Sequence, residues 1–324
     1  MSQTTCSVCG AILRGGACPN GHPQRAARRQ GSSRRRRIFP LILLILILAG
    51  TAYAALVWVP RSQAAQLMDP SSREFSEAVE AYRAAAGALP PGATDPQVLA
   101  DLSAAAVTAA GPAREKLSAG AVAISERTTL DLPVISGREP LREAVALQSR
   151  ITEFYTAALQ ALSGLERAAS YLTQTAAVIP TLASLEEAML TADLDAPGVA
   201  LDSAVPLSDQ LIADLQALAA PDELAGVHQS LLTIAERIRD GLQALVTSRG
   251  GQAGRPVVAA TLKSTRDEIA AFRQTFGTGA RRARGGGLGP QLEQVDALVV
   301  EITERLTALR EIHGLEGITL PGES

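Results

Sequence analysis

The sequence predicts an all-α molecule: an extracytoplasmic helical bundle preceded by a small metal-stabilised module and one transmembrane helix. Three observations carry this expectation. Aromatic residues make up only 3% of a chain that is 47% hydrophobic, and much of the apolar fraction is alanine, the best helix former and a poor filler of β-sandwich cores. Apolar residues recur at helical spacing over much of 60–324, with prolines where a first helical turn accepts them. Ahead of this region runs a stretch of 22 uncharged residues, Ile38 to Val59. The expected organisation is a metal module at 1–24, a basic disordered linker at 25–37, a transmembrane helix at 38–59 and a helical domain at 60–324.

The module rests on Cys6, Cys9, Cys18 and His22. Cys6-Ser7-Val8-Cys9-Gly10 is a C-x-x-C knuckle followed by glycine, and Cys18-Pro19-Asn20-Gly21-His22 offers a second pair of donors after eight intervening residues. The C-x-x-C spacing lets one tight turn present two sulfurs to a single ion, and glycine relieves the turn sterically. Three thiolates and an imidazole close a tetrahedral site, and closed sites are structural because a catalytic zinc keeps a position for water. So few residues bury little apolar surface, so a bound metal would supply most of the module's folding free energy, on the order of 10 kcal/mol or more. All three cysteines of the chain are used here, which leaves the outer domain without disulfides and dependent on helix packing.

The segment from Cys6 to His22 resembles the short zinc-ribbon modules at the N-termini of many bacterial membrane proteins, which carry two CPxCG knuckles. The first knuckle here is Cys6, Cys9, Gly10. The second begins with Cys18-Pro19 but has Asn20-Gly21-His22 where a second cysteine is expected, and His22 lies one residue beyond the usual fourth-ligand position. The resemblance implies a structural Zn2+ held by three cysteines and one histidine; three cysteines with water or a ligand from another chain is the alternative. Free thiols are the plainer reading, and a redox C-x-x-C would need a thioredoxin-like βαβ context that the chain lacks.

Charge sets the topology. The first 60 residues contain eight arginines and no carboxylate, so 22 of the 30 basic residues and all 33 acidic ones fall in the remainder. Arg34, Arg35, Arg36 and Arg37 precede the apolar run and Arg61 alone follows it directly, so the positive-inside rule places the N-terminus in the cytoplasm. Near an anionic inner leaflet each arginine contributes about 1 kcal/mol of attraction. No aromatic residue is interleaved among them to stack on bases, which argues for lipid rather than nucleic acid. Twenty-two helical residues extend about 33 Å, enough for a hydrocarbon core near 30 Å. Pro40 is expected in the first turn, and Tyr53 and Trp58 at the outer interface. Ala52-Tyr53-Ala54 also resembles a cleavage site, but the apolar run continues through Leu56, Val57, Trp58 and Val59, as in an uncleaved anchor.

In the outer domain Ser71 to Glu74 reads as a capping box ahead of Phe75, Val79 and Tyr82. Pro96, Pro140, Pro221, Pro256 and Pro290 each stand where a helix starts. From Pro140 to Ile179 the stripe Ile151, Tyr155, Ala158, Leu162, Leu165, Ala169, Leu172, Ala176, Ile179 marks one long helix ended by Pro180. Leu224, Leu231, Ile238 and Leu245, with Val227, Ile234 and Leu242 between them, mark a second. Leu262, Thr265, Ile269, Phe272 and Phe276 mark a third. Leu292, Val295, Val299, Ile302, Leu306 and Leu309 mark the last, ending at His313-Gly314. These lengths suit an antiparallel bundle better than a sustained coiled coil. Loops are expected at Ala88 to Asp95, at Asp193 to Pro206 and at Gly277 to Gly289, where Arg281, Arg282 and Arg284 should be solvated. His228 reads as a bundle-edge residue and His313 as a partner of its helix's C-terminal dipole.

No nucleophile-elbow, phosphate-loop or H-E-x-x-H pattern is present, so the expectation is a non-enzymatic membrane protein that binds or scaffolds at the cell envelope. The alternative is a sensor that passes an envelope signal to a cytoplasmic protein partner through the zinc module; a homo-oligomer is compatible with either. The H-x-x-x-C-x-x-C order of membrane-bound anti-sigma factors is missing.

Overall fold

The computed structural model describes residues 5–13, 17–22, 33–90, 92–128, 139–192, 199–248 and 254–323. Its described residues are helical apart from turns, short connections and isolated bridge residues, among them the antiparallel pair Thr5 and Ile12, and contain no β-strand. The chain separates into two compact units, Met1–Trp58 and Val59–Ser324.

The first unit holds the two Cys/His turns and helix α1 (Ser33–Tyr53), followed by a π-helical turn, Ala54–Trp58. One helical run, Pro40–Gly87, is long and apolar enough to cross a membrane, and none of its apolar window is buried. Leu41 through Leu48 are each at least half exposed, which in water would be an unstable surface and in hydrocarbon a favourable one. α1 begins at Ser33 rather than Ile38, because arginine propagates a helix well. Pro40 therefore lies inside the helix and not in its first turn. The linker expected at 25–37 falls outside the described residues up to position 32.

Among the described residues, the eight longer helices of the second unit fall into two groups of four. α2 (Val59–Gly87), α3 (Pro96–Thr128), α4 (Glu139–Ala176) and α10 (Leu288–His313) pack together; α5 (Ile179–Leu190), α6 (Val199–Gln216), α7 (Ala225–Thr247) and α8 (Arg255–Gly277) form the other group. α4 is the spine of the first group and touches α2, α3 and α10. Its stripe from Ile151 to Leu172 is buried as expected. So are the stripes of α7, α8 and, from Val295 onward, α10. The rings of Phe75 and Phe154 meet edge to face at 4.9 Å in this core.

Four local expectations are corrected. Ser71 does not cap a helix. It is buried inside α2, whose apolar face starts upstream at Ala64, Leu67 and Met68, and its hydroxyl donates to the Leu67 carbonyl at 2.7 Å. Pro180 does not end the long helix: α4 stops at Ala176 and Pro180 sits in the first turn of α5, where its missing N–H costs nothing. Pro206 lies inside α6, not in a loop, because burial of Leu201, Ala204, Leu211 and Leu215 outweighs one lost backbone bond; residues 193–198 of that expected loop are outside the described ones. Gly277 to Gly289 is not an open loop. It contains a short helix, α9 (Gly279–Gly285), docked through buried Gly279, Ala280 and Ala283. Arg281 and Arg282 are exposed, but Arg284 donates to the Ala86 carbonyl at the end of α2.

The end of the chain closes the first group. α10 ends at Gly314, in the left-handed conformation with φ 65°, and Arg61 Nε donates to the His313 carbonyl at 2.7 Å. A cation on the last carbonyls complements the helix dipole. Beyond it, Leu315 and Ile318 are buried, and the Thr319 N–H donates to Ser72 Oγ at 3.0 Å.

Candidate metal centre

Two unlike turns build the centre. In the first, Gly10 N–H donates to the Cys6 carbonyl at 2.9 Å, a five-residue turn closed by Gly10 at φ 71°. In the second, Gly21 N–H donates to the Cys18 carbonyl at 3.0 Å, so this turn is one residue shorter, with Pro19 in its first central position and Gly21, at φ 70°, last. Proline presets that central φ and glycine accepts the positive one. The shorter turn explains the histidine: glycine occupies the usual fourth-ligand place, and the longer imidazole reaches back from the next residue.

The four donor atoms of Cys6, Cys9, Cys18 and His22 all lie within 4.8 Å of one another. Cys9 Sγ is 3.4 Å from Cys18 Sγ, and His22 Nδ1 is 3.6 Å from Cys18 Sγ. Bonds of about 2.3 Å to a tetrahedral ion put sulfur atoms about 3.8 Å apart, with sulfur–nitrogen edges slightly shorter, so the spacings fit one ion. At 3.4 Å the two sulfurs are not a disulfide, and none of the three cysteines is disulfide-bonded. The residues thus form a cluster that could hold a metal ion, with His22 Nδ1 as fourth donor.

Electrostatics fit the same use. The backbone N–H groups of Val8 and Cys9 hold the Cys6 thiol down at about 6. Cys9 is driven the other way: the Ala11 N–H favours its thiolate, but the neighbouring sulfurs of Cys18 and Cys6, together with desolvation, push its thiol up. Without a cation the group therefore resists collecting three negative charges, and a divalent ion removes that resistance. Cys6 and Cys18 are buried, while Cys9 is exposed. Asn20, given no role by the sequence pattern, directs its Nδ2 amide at Cys9 Sγ from 3.8 Å; a polar amide between the last two donors was the available signal.

The remaining histidines belong to the second unit. Tyr171 OH and His228 Nδ1 are 3.0 Å apart. His313 Nε2 is 3.0 Å from Glu143 Oε2 at the end of α10. The side chains of Arg34 to Arg37 lie outside the described ones. Between α4 and α10 a surface cavity of about 640 Å3 is lined by Thr152, Thr156, Gln160, Gln294 and Glu153, and both threonine hydroxyls are turned to carbonyls of their own helix. Comparison with protein-family models, with curated proteins and with solved structures finds no match to this chain, and its site is read from its own geometry.

Proposed function

We propose that this chain is a single-pass cell-envelope protein whose Cys6, Cys9, Cys18 and His22 hold one structural zinc ion in the cytoplasm, and whose helical unit outside is a non-enzymatic binding or scaffolding domain. The observation that carries the reading is the convergence of three sulfurs and one imidazole nitrogen within 4.8 Å. Thiolate and imidazole donors in a tetrahedral set suit zinc among the common divalent ions. Four protein donors leave no open position for a reacting water, so the ion's chemistry is to neutralise the thiolates and fold the module.

The apolar run of α1 supports a bilayer anchor. Arg34 to Arg37 before it and Arg61 alone directly after it favour a cytoplasmic N-terminus, with the four arginines at inner-leaflet lipid headgroups. A second reading is a transmembrane sensor acting on a cytoplasmic protein partner through the metal module.

The test is zinc content and partner capture on full-length protein in mild detergent, wild type against Cys6→Ser/Cys9→Ser. The expected result is about one zinc per chain, lost in the variant together with a cytoplasmic partner. Wild-type protein purified without a stoichiometric metal ion overturns the zinc reading. Metal lost with all captured proteins retained removes the docking role and keeps the structural one.

A further inference from the structure

We infer that Cys9 is a site of oxidation by hydroperoxides, that Cys18 resolves it, and that the resulting Cys9–Cys18 disulfide expels the metal. The inference rests on the metal reading above, because a bound cation keeps Cys9 as the thiolate while its surface position leaves it open to solvent.

Exposure selects the attacking sulfur. Cys6 is 2% and Cys18 8% exposed, whereas Cys9 is exposed at the surface of its turn. A hydroperoxide approaching from solvent therefore meets Cys9 first. Distance selects the second sulfur. Cys18 Sγ is already 3.4 Å from Cys9 Sγ, so closing to a disulfide near 2.05 Å needs a shift of little more than 1 Å. The partner is on the other turn, so the bond would tie the two turns together rather than strain one of them.

The chemistry balances with the peroxide as the only co-reactant. The Cys9 thiolate attacks a peroxide oxygen; the S–O bond forms, the O–O bond breaks, and hydroxide leaves. Sulfur is oxidised by two electrons to the sulfenic acid, and the peroxide is reduced. The Cys18 thiolate then attacks the Cys9 sulfur; the S–S bond forms, the S–O bond breaks, and a second hydroxide leaves. Two thiolates and one hydrogen peroxide thus give one disulfide and two hydroxides. Only Cys6 and His22 remain as donors, half of a tetrahedral set.

The experiment uses reduced, zinc-loaded full-length protein in detergent, treated with increasing equivalents of hydrogen peroxide. Released metal is read with a chromogenic chelator, and cysteines are alkylated and mapped by mass spectrometry after trypsin. Cleavage after Arg14 separates Cys6 and Cys9 from Cys18. The expected product joins the peptide ending at Arg14 to the one ending at Arg25 through Cys9 and Cys18, carries the alkyl group on Cys6, and appears in step with loss of the metal. A Cys6–Cys9 loop inside one peptide, a bridge through Cys6 to Cys18, or metal retained at tenfold excess peroxide overturns the inference. Absence of metal before peroxide is added overturns the zinc reading instead, whereas a wrong bridge in zinc-loaded protein overturns only the site of oxidation.

Discussion

Chelation should unfold the N-terminal module and leave the helices alone, and the structure sets the scale of the effect. Among the described residues of the module the buried apolar side chains are Cys6 and Cys18, while Val8 is 66% and Ile12 51% exposed. Two small buried side chains contribute a few kcal/mol at most. The fourteen described residues between Cys6 and His22 lose about 1 kcal/mol or more of backbone entropy each on ordering. The deficit is on the order of 10 kcal/mol, the size of the free energy that a structural zinc supplies, about 10–16 kcal/mol. Since about 1.4 kcal/mol is a factor of ten, the population open to a protease changes by many decades. The assay is limited trypsin cleavage after Arg14, in the sequence between the two turns, with and without a strong chelator, while far-ultraviolet circular dichroism follows the helices. Cleavage should accelerate at least 100-fold on chelation, with the helical signal unchanged. Equal rates in both conditions, with zinc bound at stoichiometry beforehand, would refute the argument that metal rather than apolar burial folds this module.

Three further changes probe the helical unit. Gly120 in α3 lies against the Tyr155 hydroxyl and ring, so Gly120→Ala should lower stability by about 1–2 kcal/mol through overpacking despite the better helix propensity of alanine. Gly226→Ala, with nothing near its Cβ, should instead be neutral or stabilising by about 0.5 kcal/mol in urea denaturation. Burial raises the Asp69 carboxyl above its usual range, with Arg73 opposing. A raised folded value favours the native state below the unfolded value and withdraws that advantage as pH rises through the folded value. Asp69→Asn should therefore raise the melting temperature at neutral pH, with a gain that shrinks on acidification toward pH 4; a constant difference at every pH would contradict this.

The candidate site was legible because its information is local. Two turns of four or five residues, each with cysteine at the start and glycine at the end, place their donors by backbone geometry alone. Histidine in place of the last cysteine was legible as a departure; its fit came from the shorter Cys18–Gly21 turn and the reach of Nδ1. The exposure difference between Cys9 and Cys18 was not legible, because it depends on how the two turns face each other.

The same division runs through the fold. Apolar period by itself determined the stripes of α4, α7, α8 and α10, since side chains on one face of a helix must find a common core whatever the partner. It also marked α1, where no charged residue interrupts the run after Arg37. Tertiary structure decided what local signals misreport. Ser71 looks like a cap until burial of Ala64, Leu67 and Met68 extends α2 past it, and Pro206 looks like a break until the packing of α6 absorbs the lost bond. Arg281, Arg282 and Arg284 look alike in sequence, yet only Arg284 reaches the free carbonyl of Ala86. Capping and proline preferences are worth about 1–3 kcal/mol, and burying several apolar side chains exceeds that sum. Local grammar therefore prevailed where it agreed with the core, and the core decided the rest.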